Sequence, residues 1–215
     1  MLKLVIFDLD NTLYDYDYYN VIAEQALYKE LQECFGLTLK EAETILYKAK
    51  KVVKAQLGNV ASCHNRLLYM QVLCEQLKVK PALYAEKLDG IYWDSFLGDA
   101  KLYDYTLPVL KYVREKGLKI GLLTDLTAHI QYRKLSVFEI GEYFDYIVTS
   151  EEAGEEKPSE KMFELILRKS GVKPEEALMI GDSLSKDIEG AQKYCIEAIH
   201  VIKDMDLLSA IKEYI

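Results

Sequence analysis

Lys3-Leu4-Val5-Ile6-Phe7-Asp8-Leu9-Asp10-Asn11-Thr12 is the stretch on which the reading of this 215-residue chain turns. Five residues, four of them apolar strand formers, run straight into an acidic, turn-forming segment. A short continuous apolar run reads as a strand buried on both faces, the habit of parallel sheets. Side chains at i and i+2 of an extended segment share a side, so Asp8 and Asp10 project together from the carboxyl end of that strand. In an open α/β sheet the ligand crevice lies at that end. Two carboxylates about 7 Å apart repel by roughly 2 kcal/mol at an effective dielectric near 20, and a cation between them relieves the strain. The plainer alternative is an acidic helix cap, since Asp and Asn both cap well.

Working outward, residues 20–95 contain no convincing strand. Val21, Ala26, Leu27, Leu31 and Phe35 fall near helical spacing, and Gly36 is a stop. Thr38-Leu39-Lys40-Glu41 is a capping box that opens a second helix, with Ala42, Ile45, Leu46, Ala49 and Val52-Val53 as its apolar stripe and Gly58 at its end. Leu67, Leu68, Met70, Val72, Leu73 and Leu77 carry a third helix; Pro81 opens a fourth, with Leu83, Leu88, Ile91 and Tyr92 inward. Four such helices make a small antiparallel bundle. Tyr14, Tyr16, Tyr18 and Tyr19 precede it, as a hinge that closes over a cleft or as packing at a seam.

From residue 98 onward strand and helix alternate. Strands are expected at 119–123, 146–149, 177–180 and 198–201, with helices at 107–116, 128–137, 159–170, 188–194 and 207–214. Short connections between them mean a doubly wound parallel sheet of about five strands, covered on both faces, to which residues 3–7 also belong. The expected division is an α/β core of 1–14 and 98–215 with a helical bundle, 15–97, inserted after the first strand.

Thirty-five acidic against 27 basic residues leave a net charge of −8. That argues against a nucleic-acid groove or an anionic membrane surface. A small anionic substrate remains compatible, because a metal and a few local cations invert the field inside a cleft. Cys34, Cys63, Cys74 and Cys195 form no CxxC pair, as in a reducing compartment. No apolar run reaches the 18 or so residues of a membrane span, and the first residues turn acidic too soon for a signal peptide. The expectation is a cytoplasmic protein, monomeric or a small homo-oligomer, whose partner is a small anionic metabolite, a phosphorylated one if the strand ends hold phosphate.

The strand ends carry the chemistry. The first ends in Asp8 and Asp10, the second in Thr124-Asp125, the fourth in Gly181-Asp182 with Asp187 five residues on. Lys157-Pro158 stands before a helix between the third and fourth. A parallel sheet brings these ends to one edge. Oxygen-only acidic ligands suit Mg²⁺, and a lysine with free backbone amides suits phosphate. These four motifs, in this order and on these elements, resemble the haloacid dehalogenase superfamily, whose common subclass carries a helical cap in the same place.

The resemblance implies roles for individual residues. Asp8 becomes the nucleophile that takes the phosphoryl group. Asp10 becomes the general acid and then the base, and its backbone carbonyl joins Asp8 and Asp182 as the Mg²⁺ ligands. Thr124 and the amide of Asp125 bind phosphate, Lys157 neutralises charge, and Asp187 orients Lys157 or a metal-bound water. Asp10 together with Asp182 favours a phosphatase over a 2-haloacid dehalogenase, which needs neither the acid nor a metal. A phosphomutase of the beta-phosphoglucomutase type keeps the same motifs and is the alternative; a non-catalytic binding module would not need the full set. One departure is Tyr194-Cys195, where the family usually has Ala-Gly. In the insertion, Ser62, His64, Asn65 and Arg66 form the one dense polar cluster; it reads as a solvated loop or as a specificity element in which His64 and Arg66 meet the substrate's leaving group.

Overall fold

The computed structural model describes residues 1–215 and divides the chain into two compact units, Met1–Asp15 with Lys101–Ile215, and Tyr16–Ala100. The seams thus fall one residue after 14 and three after 97. No helix is long and apolar enough to cross a membrane.

In the first unit, β1 (Leu4–Phe7) is the middle strand of a five-stranded sheet. Its neighbours are β2 (Lys119–Thr124) and β4 (Ala177–Gly181); β3 (Tyr146–Thr149) lies beyond β2 and β5 (Glu197–His200) beyond β4, so the order is β3-β2-β1-β4-β5. Every pairing is parallel, with Leu4 opposite both Lys119 and Ala177. All four β1 side chains are fully buried, which is what a central strand covered on both faces requires. Chain order reverses direction across the sheet between β1 and β4, the position at whose carboxyl ends an open parallel sheet binds its ligands.

One core cluster gathers alternate strand residues, Leu4 and Ile6 with Ala177 and Met179, against Met162, Phe163 and Ile166. Gly121 on β2 permits that approach: a Cβ there would lie 3.2 Å from Ile166 Cδ1. Cys195 stands at φ 60, in the left-handed region that favours glycine, so the departure from the small pair is accommodated at a backbone cost of about 1 kcal/mol.

The second unit holds α1 (Tyr16–Phe35), α2 (Leu39–Leu57), α3 (Arg66–Gln76) and α4 (Pro81–Leu97). Thr38 and Glu41 form the expected capping box, and Asn65 caps α3 by accepting from the Leu67 amide. The inward faces differ from the expected ones in a consistent way. Tyr92 and Leu88 are buried as expected, but Val21, Leu67 and Leu83 are exposed, while Tyr19, Tyr69, Trp93 and Phe96 are buried. Rings, not aliphatic side chains, fill much of this interior, with Tyr92–Trp93 edge to face at 5.0 Å.

Back in the first unit, α5 (Thr106–Glu115) packs on β2, α6 (Ala128–Val137) follows β2, and α7 (Ser150–Ala153) follows β3. Then come α8 (Glu160–Ser170), capped by Ser159, and a wide helical turn, Leu184–Ile188, that runs into α9 (Glu189–Lys193). Last is α10 (Leu207–Lys212).

Candidate active site

Asp8 continues the ladder beyond β1, its amide donating to Ile180 O on β4 at 2.9 Å. The chain then turns at Asn11, which takes φ 62. That turn points Thr12 back: its hydroxyl donates to Asp8 Oδ2 (3.3 Å) and lies 3.4 Å from Asp182 Oδ1, and it accepts from the Asp182 amide at 3.1 Å. One buried hydroxyl thereby ties the end of β1 to the end of β4.

Lys157 reaches in from the loop before α8. Its Nζ donates to Asp8 Oδ1 at 2.5 Å and to Asp187 Oδ1 at 2.7 Å, and all three side chains are buried. Asp187 is held at its other oxygen by the Ser183 amide at 3.0 Å. It sits inside the turn Leu184–Ile188, so it is not the helix cap; Ser183 is, accepting from the Lys186 amide. Gly181 makes room for it, since a Cβ at 181 would stand 2.4 Å from Asp187 Oδ2. Asp125 is placed by two donors, the Lys157 amide at 2.9 Å and Lys186 Nζ at 2.8 Å. His200 on β5 holds the Asp182 carbonyl at 2.8 Å. His129 is exposed.

Burial pushes the Asp8 carboxyl well above the usual carboxylate range; Lys157 opposes this, and Asp187, Asp10 and Asp182 reinforce it. Burial raises Asp182 in the same direction, with Asp187 adding to it. Lys157 is also raised, because Asp187 and Asp8 outweigh the burial that would discharge it. Crowded carboxylates add to burial at both Asp8 and Asp182. Four carboxylates, Asp8, Asp10, Asp182 and Asp187, face two lysines, Lys157 and Lys134, which leaves two negative charges over. Carboxylate oxygens of Asp8, Asp182 and Asp187 come within 4.8 Å of one another. An all-oxygen donor set with an excess of two negative charges fits a hard divalent cation.

Asp10 has partners that sequence reasoning missed. Its Oδ1 accepts from Lys134 Nζ at 2.6 Å and from the Tyr14 hydroxyl at 2.5 Å. Its Oδ2 accepts from Gln131 Nε2 at 3.3 Å, and the same amide nitrogen donates to Thr124 Oγ1 (2.6 Å) and Asp125 O (2.7 Å). Gln131 and Lys134 are both fully buried on α6. The signal was in the spacing: 131 and 134 share a helix face, and they fall between Ile130 and Leu135 on the side turned inward.

His64 and Arg66 belong to the helical unit, whereas every residue of the cluster above belongs to the α/β unit. His64 is half-buried in the turn Ala61–His64. Arg66 does not present an open guanidinium. It is buried, donates to His64 O at 2.6 Å and to the Tyr16 hydroxyl, and lies over the rings of Tyr69, Tyr92 and Trp93 at 5.4–5.7 Å. Burial opposes its charge, but the facing tyrosines win and hold it above its ordinary value. The expectation that Arg66 meets substrate is corrected accordingly: its cation is spent on the aromatic interior. Arg66→Ala deletes those ring contacts and leaves a void, which costs about 2–4 kcal/mol. Thermal denaturation should show Tm lower by roughly 5–12 °C; an unchanged Tm would return Arg66 to a free, functional role.

A model of the haloacid dehalogenase-like hydrolase family matches residues 2–194. A ribulose-1,5-bisphosphate 5-phosphatase of Halopiger xanaduensis is 35% identical over 201 residues, which cover 93% of this chain and 84% of that one. A glyceraldehyde 3-phosphate phosphatase of Methanopyrus kandleri is 35% identical over 195 residues, 90% of this chain and 81% of that one. Among solved structures, the crystal structure of a HAD phosphatase from Thermococcus onnurineus superposes with a TM-score of 0.72 at 26% identity, over 95% of this chain and 88% of that one.

Proposed function

The chain belongs to the haloacid dehalogenase-like hydrolases, and on that premise we propose that it is a Mg²⁺-dependent phosphatase that hydrolyses a small sugar phosphate through an aspartyl-phosphate. The observation that carries this is the ion pair of Lys157 with Asp8 at 2.5 Å, next to Asp182, at the carboxyl ends of adjacent strands. A buried carboxylate held by one lysine, with more negative charge around it than the lysines can balance, is equipped to meet a phosphoryl group and a cation together.

In this reading Asp8 Oδ attacks phosphorus as the bond to the leaving oxygen breaks, and Asp10 gives that oxygen its proton. Asp10 then takes a proton from water, which attacks the same phosphorus and frees Asp8. Thr124 and the Asp125 amide bind the phosphate oxygens. Lys157 offsets the charge that develops on them, and Asp187 keeps Lys157 in place. Asp8, Asp182 and the Asp10 carbonyl would hold Mg²⁺, which would supply charge neutralisation for the transferring group. The names of the two similar phosphatases support phosphorylated sugars as the class of substrate. Four free thiols support a cytoplasmic setting.

The test is a panel of phosphomonoesters assayed for inorganic phosphate with Mg²⁺ present. Release from one or more sugar phosphates is expected. Transfer of the phosphoryl group within the substrate, with none released, would mean a mutase. The reading also makes Gly181→Ala costly. The new methyl must push Asp187 off Lys157, and a misplacement on the order of 1 Å in such a site lowers kcat about 100-fold. Wild-type kcat in that variant would show that Asp187 does not position Lys157.

A further inference from the structure

The partners of Asp10 form a receptor that the proposed chemistry has not yet used. Oδ1 is saturated by two strong donors, Lys134 Nζ at 2.6 Å and the Tyr14 hydroxyl at 2.5 Å, whereas Oδ2 has a single long contact, 3.3 Å from Gln131 Nε2. Lys134 and Tyr14 are wholly buried. A lysine with no exposure is stabilised only by well-placed partners, and Lys134 pairs with the Asp10 carboxylate. Gln131 adds a second argument. Its Nε2 serves Thr124, Asp125 and Asp10, but its Oε1 is buried without a hydrogen-bond partner. An orphaned buried amide oxygen is destabilising, so an apolar side chain of that size would serve stability better. The residue makes sense for what its nitrogen holds in register.

We propose that Lys134, Gln131 and Tyr14 are positioning residues that clamp Asp10 by Oδ1 and leave Oδ2 as its proton-transferring atom. The inference rests on the phosphatase reading. In the first half-reaction the Asp8–phosphorus bond forms while the phosphorus–oxygen bond to the leaving group breaks, and the proton on Oδ2 passes to the leaving oxygen. In the second half, Oδ2 takes a proton back from the attacking water. Gln131 links this step to phosphate binding, since the same amide nitrogen fixes the Thr124 hydroxyl and the Asp125 carbonyl.

The dependence on leaving group tests this. An alkoxide needs the proton; a nitrophenolate scarcely does. The variants are Lys134→Met, Gln131→Met and Tyr14→Phe, so that a failure of the first to fold leaves two others. Each is assayed for kcat/KM on the best alkyl phosphomonoester of the panel and on 4-nitrophenyl phosphate. The alkyl ester should lose roughly 100-fold in kcat/KM while the aryl ester loses less than about fivefold, the range expected when acid assistance is removed. In an Asp10→Asn background the same substitutions should cost nothing further, because they act through Asp10. Equal losses on both esters, or a full additional loss in the Asp10→Asn background, would make these residues structural and overturn the proposal. A parent protein that releases phosphate from neither ester would overturn the phosphatase reading and this inference with it; a parent that does, with variants that lose equally, overturns the inference alone.

Discussion

Asp8→Asn should abolish turnover, by on the order of 10⁴-fold in kcat, and leave the fold intact. The amide keeps the shape of the carboxylate and can still face Thr12 and Lys157, but it is a poor nucleophile and a weak ligand for a hard cation. The stability effect has the opposite sign. In the metal-free protein, burial and three neighbouring carboxylates hold the Asp8 carboxyl above its usual range. Between the ordinary value near 4 and the raised one, the folded chain binds more protons than the unfolded chain. Stability therefore falls as pH rises through that window. The neutral amide removes this penalty. In chelator, denaturation should find the variant at least as stable as the parent at pH 8, with a smaller difference between pH 5 and pH 8. Activity within tenfold of the parent would end the assignment of Asp8.

Chelation should take activity below about 1% of its starting value, and Mg²⁺ should restore it. The two uncompensated negative charges at the site make the same ion a folding ligand. At one hundred times its Kd, such a ligand adds about 2.7 kcal/mol, and Tm should climb by roughly 5–10 °C. Ca²⁺ should bind and inhibit, because it prefers more ligands at longer distances and can engage both oxygens of Asp8. Calorimetry and phosphate release on one sample read both effects. Full activity in excess chelator would contradict an oxygen-ligand metal site.

The α/β unit was legible because its signals are local. A fully buried strand reads as an unbroken apolar run, and β1, β2 and β4 each do so before stopping at an acidic or hydroxyl residue. Once the strands were placed, the parallel topology put Asp8, Thr124 and Asp182 at one edge without further information. Lys134 and Gln131 escaped notice because a charged or amide residue on a helix is ordinarily solvated, and only the fold reveals that α6 turns that face inward. Arg66 was misread for a related reason. A lone arginine beside other polar residues looks like an anion site, and nothing local announces that Tyr69, Tyr92 and Trp93 will close around it. The same ring-filled interior explains why Leu67 and Leu83 lie outside. Aliphatic spacing was read as the inward face, while the larger aromatic side chains bury more surface each and took the position. The turn Leu184–Ile188 was also beyond local reading, since the contacts Asp187 makes there, with Gly181, Lys157 and Ser183, are with residues of other segments or of its own loop.

The central claim is that the phosphoryl group passes through Asp8. Acid quenching during turnover of a ³²P-labelled sugar phosphate, followed by peptide mapping, tests it most directly. The account predicts an acid-stable, hydroxylamine-labile label on the peptide that contains Asp8, absent from Asp8→Asn. Turnover with no covalent label, or a label on any other residue, would contradict it.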